Sequence, residues 1–244
     1  MTKLSVNVNK VALLRNTRDL NIPSVLRAAE TSVAAGAHGI TVHPRPDQRH
    51  IRPSDVFELA QFLKSKPGIE FNIEGNPFAD FMAIVDRVRP DQCTLVPDSP
   101  DQSTSDHGWN LGEDAPRLKG IVSELHGMGC RVSLFMDPDI EEIRLVPETG
   151  ADRIELYTQP YAEAFANGNA DAEWLRYKNA AKAAQDLGLG VNAGHDLNLQ
   201  NLGKFCQIPN IAEVSIGHAL IADALDLGLS NAVRAYLEIL KATS

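Results

Sequence analysis

The chain has 244 residues, 43% hydrophobic and 23% charged, the make-up of a globular domain long enough to bury a sizeable core. Its formal net charge of −9 argues against nucleic acid or an anionic membrane as partner, because both ask for a basic face. Small phosphorylated molecules stay open as partners, since a few local donors suffice to hold them.

Three separated cysteines (Cys93, Cys130 and Cys206) show no metal-ligand spacing, and the first residues hold no apolar run long enough for a signal peptide or a membrane span. The expectation is a cytoplasmic protein with reduced thiols.

In chain order, the first strand-like run is LSVNVN (4–9), followed by the basic stretch LLRNTRD (13–19), read as a loop. Apolar residues at helical spacing occupy 25–36, and GITVHP (39–44) forms the second strand, running into the loop HPRPDQRHI (43–51). A helix over 55–65, a strand over 69–75, a helix over 78–88 and a strand over 92–97 come next. Further strands are expected at 131–137, 153–158, 190–195 and 213–218. Glycine-bearing turns precede four of them (AGAHG, GMGC, TGAD and LGLG), which suits helices capped by a left-handed residue just before the chain enters a strand. No linker or shift of composition interrupts the series. Eight strand–helix units over residues 1–244 point to an α/β protein, a single-domain (β/α)8 TIM barrel with a few extra helices. The open doubly wound sheet would want GxGxxG after its first strand, where this chain has NVNKVALLRN.

Active sites of such barrels sit at the C-terminal strand ends. Those ends carry Asn7 and Asn9, His43 and Arg45, Glu74, Asp98 with Thr104 beyond it, Asp137, Glu155 with Tyr157, His195, and His218. Any one of them has a plain structural reading: Asp137 as a turn or cap residue, Glu155 as an orienting partner, Asn7 and Asn9 as a buried amide ladder. Three histidines and a glutamate ending four different strands point instead to proton transfer. Two segments suit phosphate. SIGHALIADAL runs from a strand through Gly217 into a helix, where backbone N–H groups face outward. The loop with Arg45 and His50 offers a bidentate grip and a further donor. Arg18 would reach the mouth if its loop folds over it. No metal is expected: there is no His-x-His, and in His43-Pro44-Arg45 the arginine would repel a cation.

VNVNKVALLRNTR, GITVHPRPDQRHI, FNIEG, TLVPD, RIELYT, VNAGHDL and SIGHALI are similar, in order and spacing, to the motifs of the pyridoxine 5′-phosphate synthase family. The resemblance covers essentially the whole chain. It implies a (β/α)8 barrel assembled as an octamer built from dimers. The implied reaction condenses 1-deoxy-D-xylulose 5-phosphate with 3-amino-2-oxopropyl phosphate into pyridoxine 5′-phosphate, phosphate and water, without cofactor or metal. It also implies His43 and Glu74 as proton acceptors and His195 as proton donor. Arg45, His50 and Thr104 would hold the deoxyxylulose phosphate; Asn7, Arg18, Gly217 and His218 would hold the aminooxopropyl phosphate. Glu155 matches a further acidic group at the site. Two departures stand out. Many members carry Asp-His where this chain has Asn9-Lys10, so Lys10 would bring a permanent charge to a position that binds deoxyxylulose phosphate. Many also have glycine at Asp196, which is expected here to turn away from phosphate and cap a helix beginning near Leu197. Two rivals are a phosphosugar isomerase or aldolase, which would need a metal or a Schiff-base lysine at a strand end, where Lys10 is the only lysine nearby, and a catalytically inactive barrel that only binds.

Overall fold

Apolar and polar residues alternate along every strand, and the alternation decides which side looks where. The computed structural model describes residues 1–99 and 105–243. Its strands are β1 (Lys3–Asn7), β2 (Gly39–Val42), β3 (Glu70–Gly75), β4 (Gln92–Leu95), β5 (Arg131–Met136), β6 (Arg153–Tyr157), β7 (Gly190–Gly194) and β8 (Ile211–Ile216). Each pairs in parallel with the next and β8 pairs with β1, closing the barrel. The helices are α1 (Asn9–Asn16), α2 (Val25–Ala34), α3 (Pro53–Leu63), α4 (Ala79–Val88), α5 (Leu111–Gly127), α6 (Ile140–Ile143), α7 (Val146–Thr149), α8 (Gln159–Ala166), α9 (Ala170–Asp186), α10 (Leu202–Phe205), α11 (His218–Leu227) and α12 (Leu229–Ala242). None is long and apolar enough to cross a membrane. The chain is thus the expected (β/α)8 barrel with extra helices.

The main core lies between the strands and the helical ring. Leu4, Val6, Ile40, Val42, Ile73, Leu95, Leu134, Ile154 and Val191 are fully buried there. Burying each such side chain contributes about 1.5–3 kcal/mol relative to leaving it exposed. The lumen is different. Barrel interiors are usually filled by branched aliphatic residues, but here buried Ser5, Thr41, Asn72, Gln92, Thr94, Ser133, Glu155, Asn192, Glu213 and Ser215 alternate with the outward apolar positions. Hydrogen bonds between non-neighbouring strands show that these groups meet at the axis: Gln92 donates to Glu213 at 3.5 Å and Asn192 to Gln92 at 3.4 Å. Within the layer above, Ser5 and Thr41 hydroxyls are 2.7 Å apart and Thr94 donates to Asn72 at 3.1 Å.

The glycine punctuation falls where expected. Gly129 (φ 85°) and Gly188 (φ 82°) take the left-handed turn between helix end and strand. One expectation needs correction. The first strand stops at Asn7 rather than at residue 9, because the Asn7 side-chain oxygen accepts the Asn9 N–H at 3.0 Å and turns the chain straight into α1. Most of LLRNTRD is therefore helical, and Arg15 is fixed on a rigid element while Arg18 lies just beyond it.

Candidate active site

Continuing the inward parity past each strand end brings Asn7, His43, Glu74, Val96, Phe135 and Tyr157 to the barrel mouth. Val96, Phe135 and Tyr157 form a small apolar cluster separate from the main core. His195 packs on it, its ring centroid 5.2 Å from Phe135 and 5.4 Å from Tyr157. The mouth thus has an aromatic wall from β5 to β7 and a polar wall from β1 to β3.

On the polar wall the strand-1 asparagines serve as braces. Asn9 accepts the His43 backbone N–H at 2.9 Å, and Asn7 donates to Glu74 at 3.4 Å. Ser215 reaches the other Glu74 oxygen at 3.5 Å. Gly217 makes room for this arrangement, since a Cβ there would meet Asn7 atoms at 3.1–3.2 Å. Beyond Gly217, α11 begins with no side-chain cap and no acidic residue in its first turn, so its leading N–H groups face the mouth uncompensated. His218 is exposed at that helix start.

The arginine loop follows β2 on this same wall. Arg45 pairs with Asp98 at 3.3 Å, each side chain only 4% exposed, and also donates to the Ser99 carbonyl at 3.3 Å. Ser105 donates to Asp98 at 2.8 Å. His50 accepts the Ile51 N–H on Nδ1 at 2.9 Å, which leaves Nε2 as the proton-bearing nitrogen in the neutral ring. The His43 and His50 ring centroids are 6.1 Å apart. Half-buried Lys10 lies in the first turn of α1, and its charge is felt at both His50 and His195.

Burial reverses the ordinary protonation of this cavity. Loss of water, reinforced by Asp98 and Glu213, pushes the Glu74 carboxyl up to about 8. Glu155 is raised well above the carboxylate range by the same desolvation and by its acidic neighbours Glu74 and Glu213, and one of its oxygens has no hydrogen-bond partner among the described residues. Glu213 is pushed up to about 7 by burial and by Glu70. The imidazoles move the other way. Desolvation first, with His50 and Arg45 adding, holds His43 well below its usual range, and His50 and His195 are each lowered to about 4, chiefly by burial. Burial thus favours the neutral form of both the imidazoles and the carboxyl groups of this cavity. His195 also sits at φ 81°, a left-handed conformation uncommon outside glycine. The Thr158 hydroxyl lies against its carbonyl and donates to that of Gly194 at 2.6 Å.

Not every residue singled out from sequence converges here. Arg18 is exposed just past α1. Asp137 accepts the Gly108 N–H at 3.0 Å, the structural reading of that residue. No helix begins near Leu197: α10 starts at Leu202, and exposed Asp196 (φ 57°) caps nothing, its carbonyl accepting from Asn201 at 3.0 Å. Thr104 lies outside the described residues. Sequence reasoning missed Glu213, although it shares the parity of Ser215 and Gly217, and it missed Arg15 and Asn16 because their segment read as loop.

The family described as "Pyridoxal phosphate biosynthesis protein PdxJ" matches residues 4–242. A pyridoxine 5′-phosphate synthase of Albidiferax ferrireducens is 56% identical, covering 97% of this chain and 96% of its own length. Those of Xylella fastidiosa and Porphyromonas gingivalis are each 52% identical, covering 98% and 97% of this chain and 95% and 98% of their own lengths. A thiamine phosphate pyrophosphorylase from Pyrococcus furiosus superposes with a TM-score of 0.62 at 12% identity, covering 99% of this chain and 96% of its own. That likeness is one of fold alone.

Proposed function

The chain belongs to the PdxJ family, the pyridoxine 5′-phosphate synthases of vitamin B6 biosynthesis, and on that premise we propose that it condenses 1-deoxy-D-xylulose 5-phosphate with 3-amino-2-oxopropyl phosphate to pyridoxine 5′-phosphate, phosphate and water. The observation that carries this reading is that two anion-binding elements and a set of proton-transfer groups share one barrel mouth. The loop of Arg45 and His50 follows β2 and the open start of α11 follows β8, the two strands that flank β1, and His43, Glu74 and His195 stand at the ends of β2, β3 and β7 on the same rim. In this reading Arg45 and His50, with Thr104, hold the deoxyxylulose phosphate. Asn7, Arg18, Gly217 and His218 hold the aminooxopropyl phosphate.

Joining an amine to a ketone, expelling phosphate and closing an aromatic ring calls for repeated proton movement rather than one strong nucleophile. Neutral His43 takes a proton from the incoming ammonium. Glu74, protonated at rest, gives its proton to the departing carbinolamine oxygen and then serves as acceptor in ring closure. His195 starts as a base and becomes the proton donor for the leaving oxygen once bound phosphate raises its affinity for a proton. Glu155 holds its proton throughout and donates from below. The chemistry needs no metal or organic cofactor, and the assembly is a cytoplasmic octamer built from dimers.

The test is to incubate the purified, chelator-treated protein with both substrates and to follow pyridoxine 5′-phosphate absorbance together with phosphate release. Equal formation of both products is expected. Glu74→Gln and His195→Asn should each lower kcat by about 10²–10⁴-fold while leaving substrate binding near normal. Absence of product, or near-normal turnover in either variant, defeats the assignment.

A further inference from the structure

The loop that carries Arg45 and His50 is irregular, yet it has to hold a phosphate in one place. What fixes it comes from another element. Asn16, the last residue of α1, directs its amide nitrogen at three successive carbonyls of this loop: Gln48 at 3.4 Å, Arg49 at 3.0 Å and His50 at 2.8 Å. The amide is itself locked, because Arg15 donates to its oxygen from Nε at 3.1 Å and from Nη2 at 2.9 Å. Arg15 also reaches the His50 carbonyl at 3.2 Å. The arginine is in turn held by a buried two-point ion pair with Asp55, one contact of which is 2.9 Å, and Asp55 accepts the Arg52 N–H at 2.8 Å. The chain Asp55–Arg15–Asn16 thus fastens the second half of the loop, residues 48–52, to α1, the helix that also presents Lys10.

We propose that Asn16, oriented by Arg15 and Asp55, is a positioning residue for the deoxyxylulose phosphate site, holding the 48–50 backbone so that His50 presents its donor nitrogen to the anion. With these carbonyls drawn toward α1, the His50 ring lies 6.1 Å from that of His43 at the mouth, and the Ile51 N–H sets its tautomer. Alanine is the best helix former, so a residue that merely served α1 would tolerate Asn16→Ala without loss. A residue that aims a binding loop would not.

This inference rests on the functional reading above, and the experiment separates the two. Asn16→Ala and Asp55-paired Arg15→Lys are compared with wild type in steady-state kinetics and in calorimetric binding of 1-deoxy-D-xylulose 5-phosphate. Arg15→Lys keeps the charge but loses the planar fork that locks the amide. The expected result for Asn16→Ala is about a tenfold rise in KM and Kd for 1-deoxy-D-xylulose 5-phosphate. The KM for 3-amino-2-oxopropyl phosphate, kcat and Tm should stay near wild type, and Arg15→Lys should shift the same constant by less. Unchanged deoxyxylulose phosphate affinity in both variants overturns the proposal, as does a rise of both KM values together with a fall of kcat and Tm. If His50→Ala binds this substrate as wild type does, the functional assignment of the loop fails, and the positioning role falls with it.

Discussion

The Glu155 carboxylate occupies the space that a side chain at position 194 would need, so the bare backbone of β7 and the buried acid of β6 are fitted to one another. Any Cβ on Gly194 would overlap Glu155 Oε1, which has nowhere to go in a filled lumen. Gly194→Ala should therefore destabilise the barrel by about 1–3 kcal/mol and reduce turnover by displacing the acid. Trimming the acid should relieve the overlap. In thermal unfolding, the Gly194→Ala/Glu155→Ala pair is expected to be less destabilised than the sum of its single variants; simple additivity would show that the two residues do not compete for space.

The inverted protonation of the cavity makes stability fall with rising pH above neutrality. Glu74 and Glu213 have folded values near 8 and 7 against unfolded values of 4.5, so the folded state holds protons that the unfolded state has lost. Their contribution is full below pH 4.5 and is lost as pH rises through 7 and 8. His50 and His195, lowered to about 4 from 6.5, act oppositely, but only between pH 4 and 6.5. From pH 6.5 to 8 the carboxyl groups alone remain, and Tm should decline. Glu74→Gln, which cannot ionise, should flatten that decline in scanning calorimetry. An unchanged slope would show that Glu74 is ionised at rest.

Much of this site was legible in the sequence, for reasons of periodicity. Alternation along eight short runs fixes which residues face inward, so His43, Glu74 and Glu155 could be placed at the mouth before any coordinates. What alternation cannot encode is how side chains brace backbone across elements. Asn9 stands where the resemblance implies a deoxyxylulose phosphate contact, and its oxygen in addition holds the His43 N–H, a brace that alternation does not announce. Asp196 was expected to cap a helix that begins five residues later than Leu197, at Leu202. The segment holding Arg15 and Asn16 read as loop because its start depends on the Asn7 side chain turning the chain, a local hydrogen bond with no periodic signature.

Arg45 and Asp98 are both nearly sealed from water, which makes their ion pair asymmetric to mutation. Burial already pushes Asp98 above its usual range, and one of its oxygens has no partner among the described residues. Arg45→Met removes the cation and strands the acid, so it should cost about 3–5 kcal/mol as well as substrate affinity. Arg45→Met with Asp98→Leu removes both charges, and the double variant should recover most of the lost Tm without recovering affinity for 1-deoxy-D-xylulose 5-phosphate. Recovery of binding along with stability would show that Arg45 holds Asp98 and not the substrate.

Lys10 reaches both anion-binding sides of the mouth through its charge. It helps hold down His50 behind burial and Arg45, and it helps hold down His195 behind burial and against the opposing effect of Asp196. Replacing it with a neutral side chain removes a positive neighbour from each ring, so both histidines should gain protons more readily. In Lys10→Met the acid limb of the kcat/KM profile, which reports the free enzyme, should move upward from near 4 toward 6.5 without reaching it, since desolvation is the larger cause in both rings. Affinity for both phosphorylated substrates should weaken at the same time. Lys10→His should restore part of that affinity below about pH 6.5, where an imidazole carries charge, and not above it. Histidine titrations followed by proton NMR in the two variants would check the direction of each shift independently of turnover. A downward move of the acid limb in Lys10→Met would mean that the lysine charge does not face these rings.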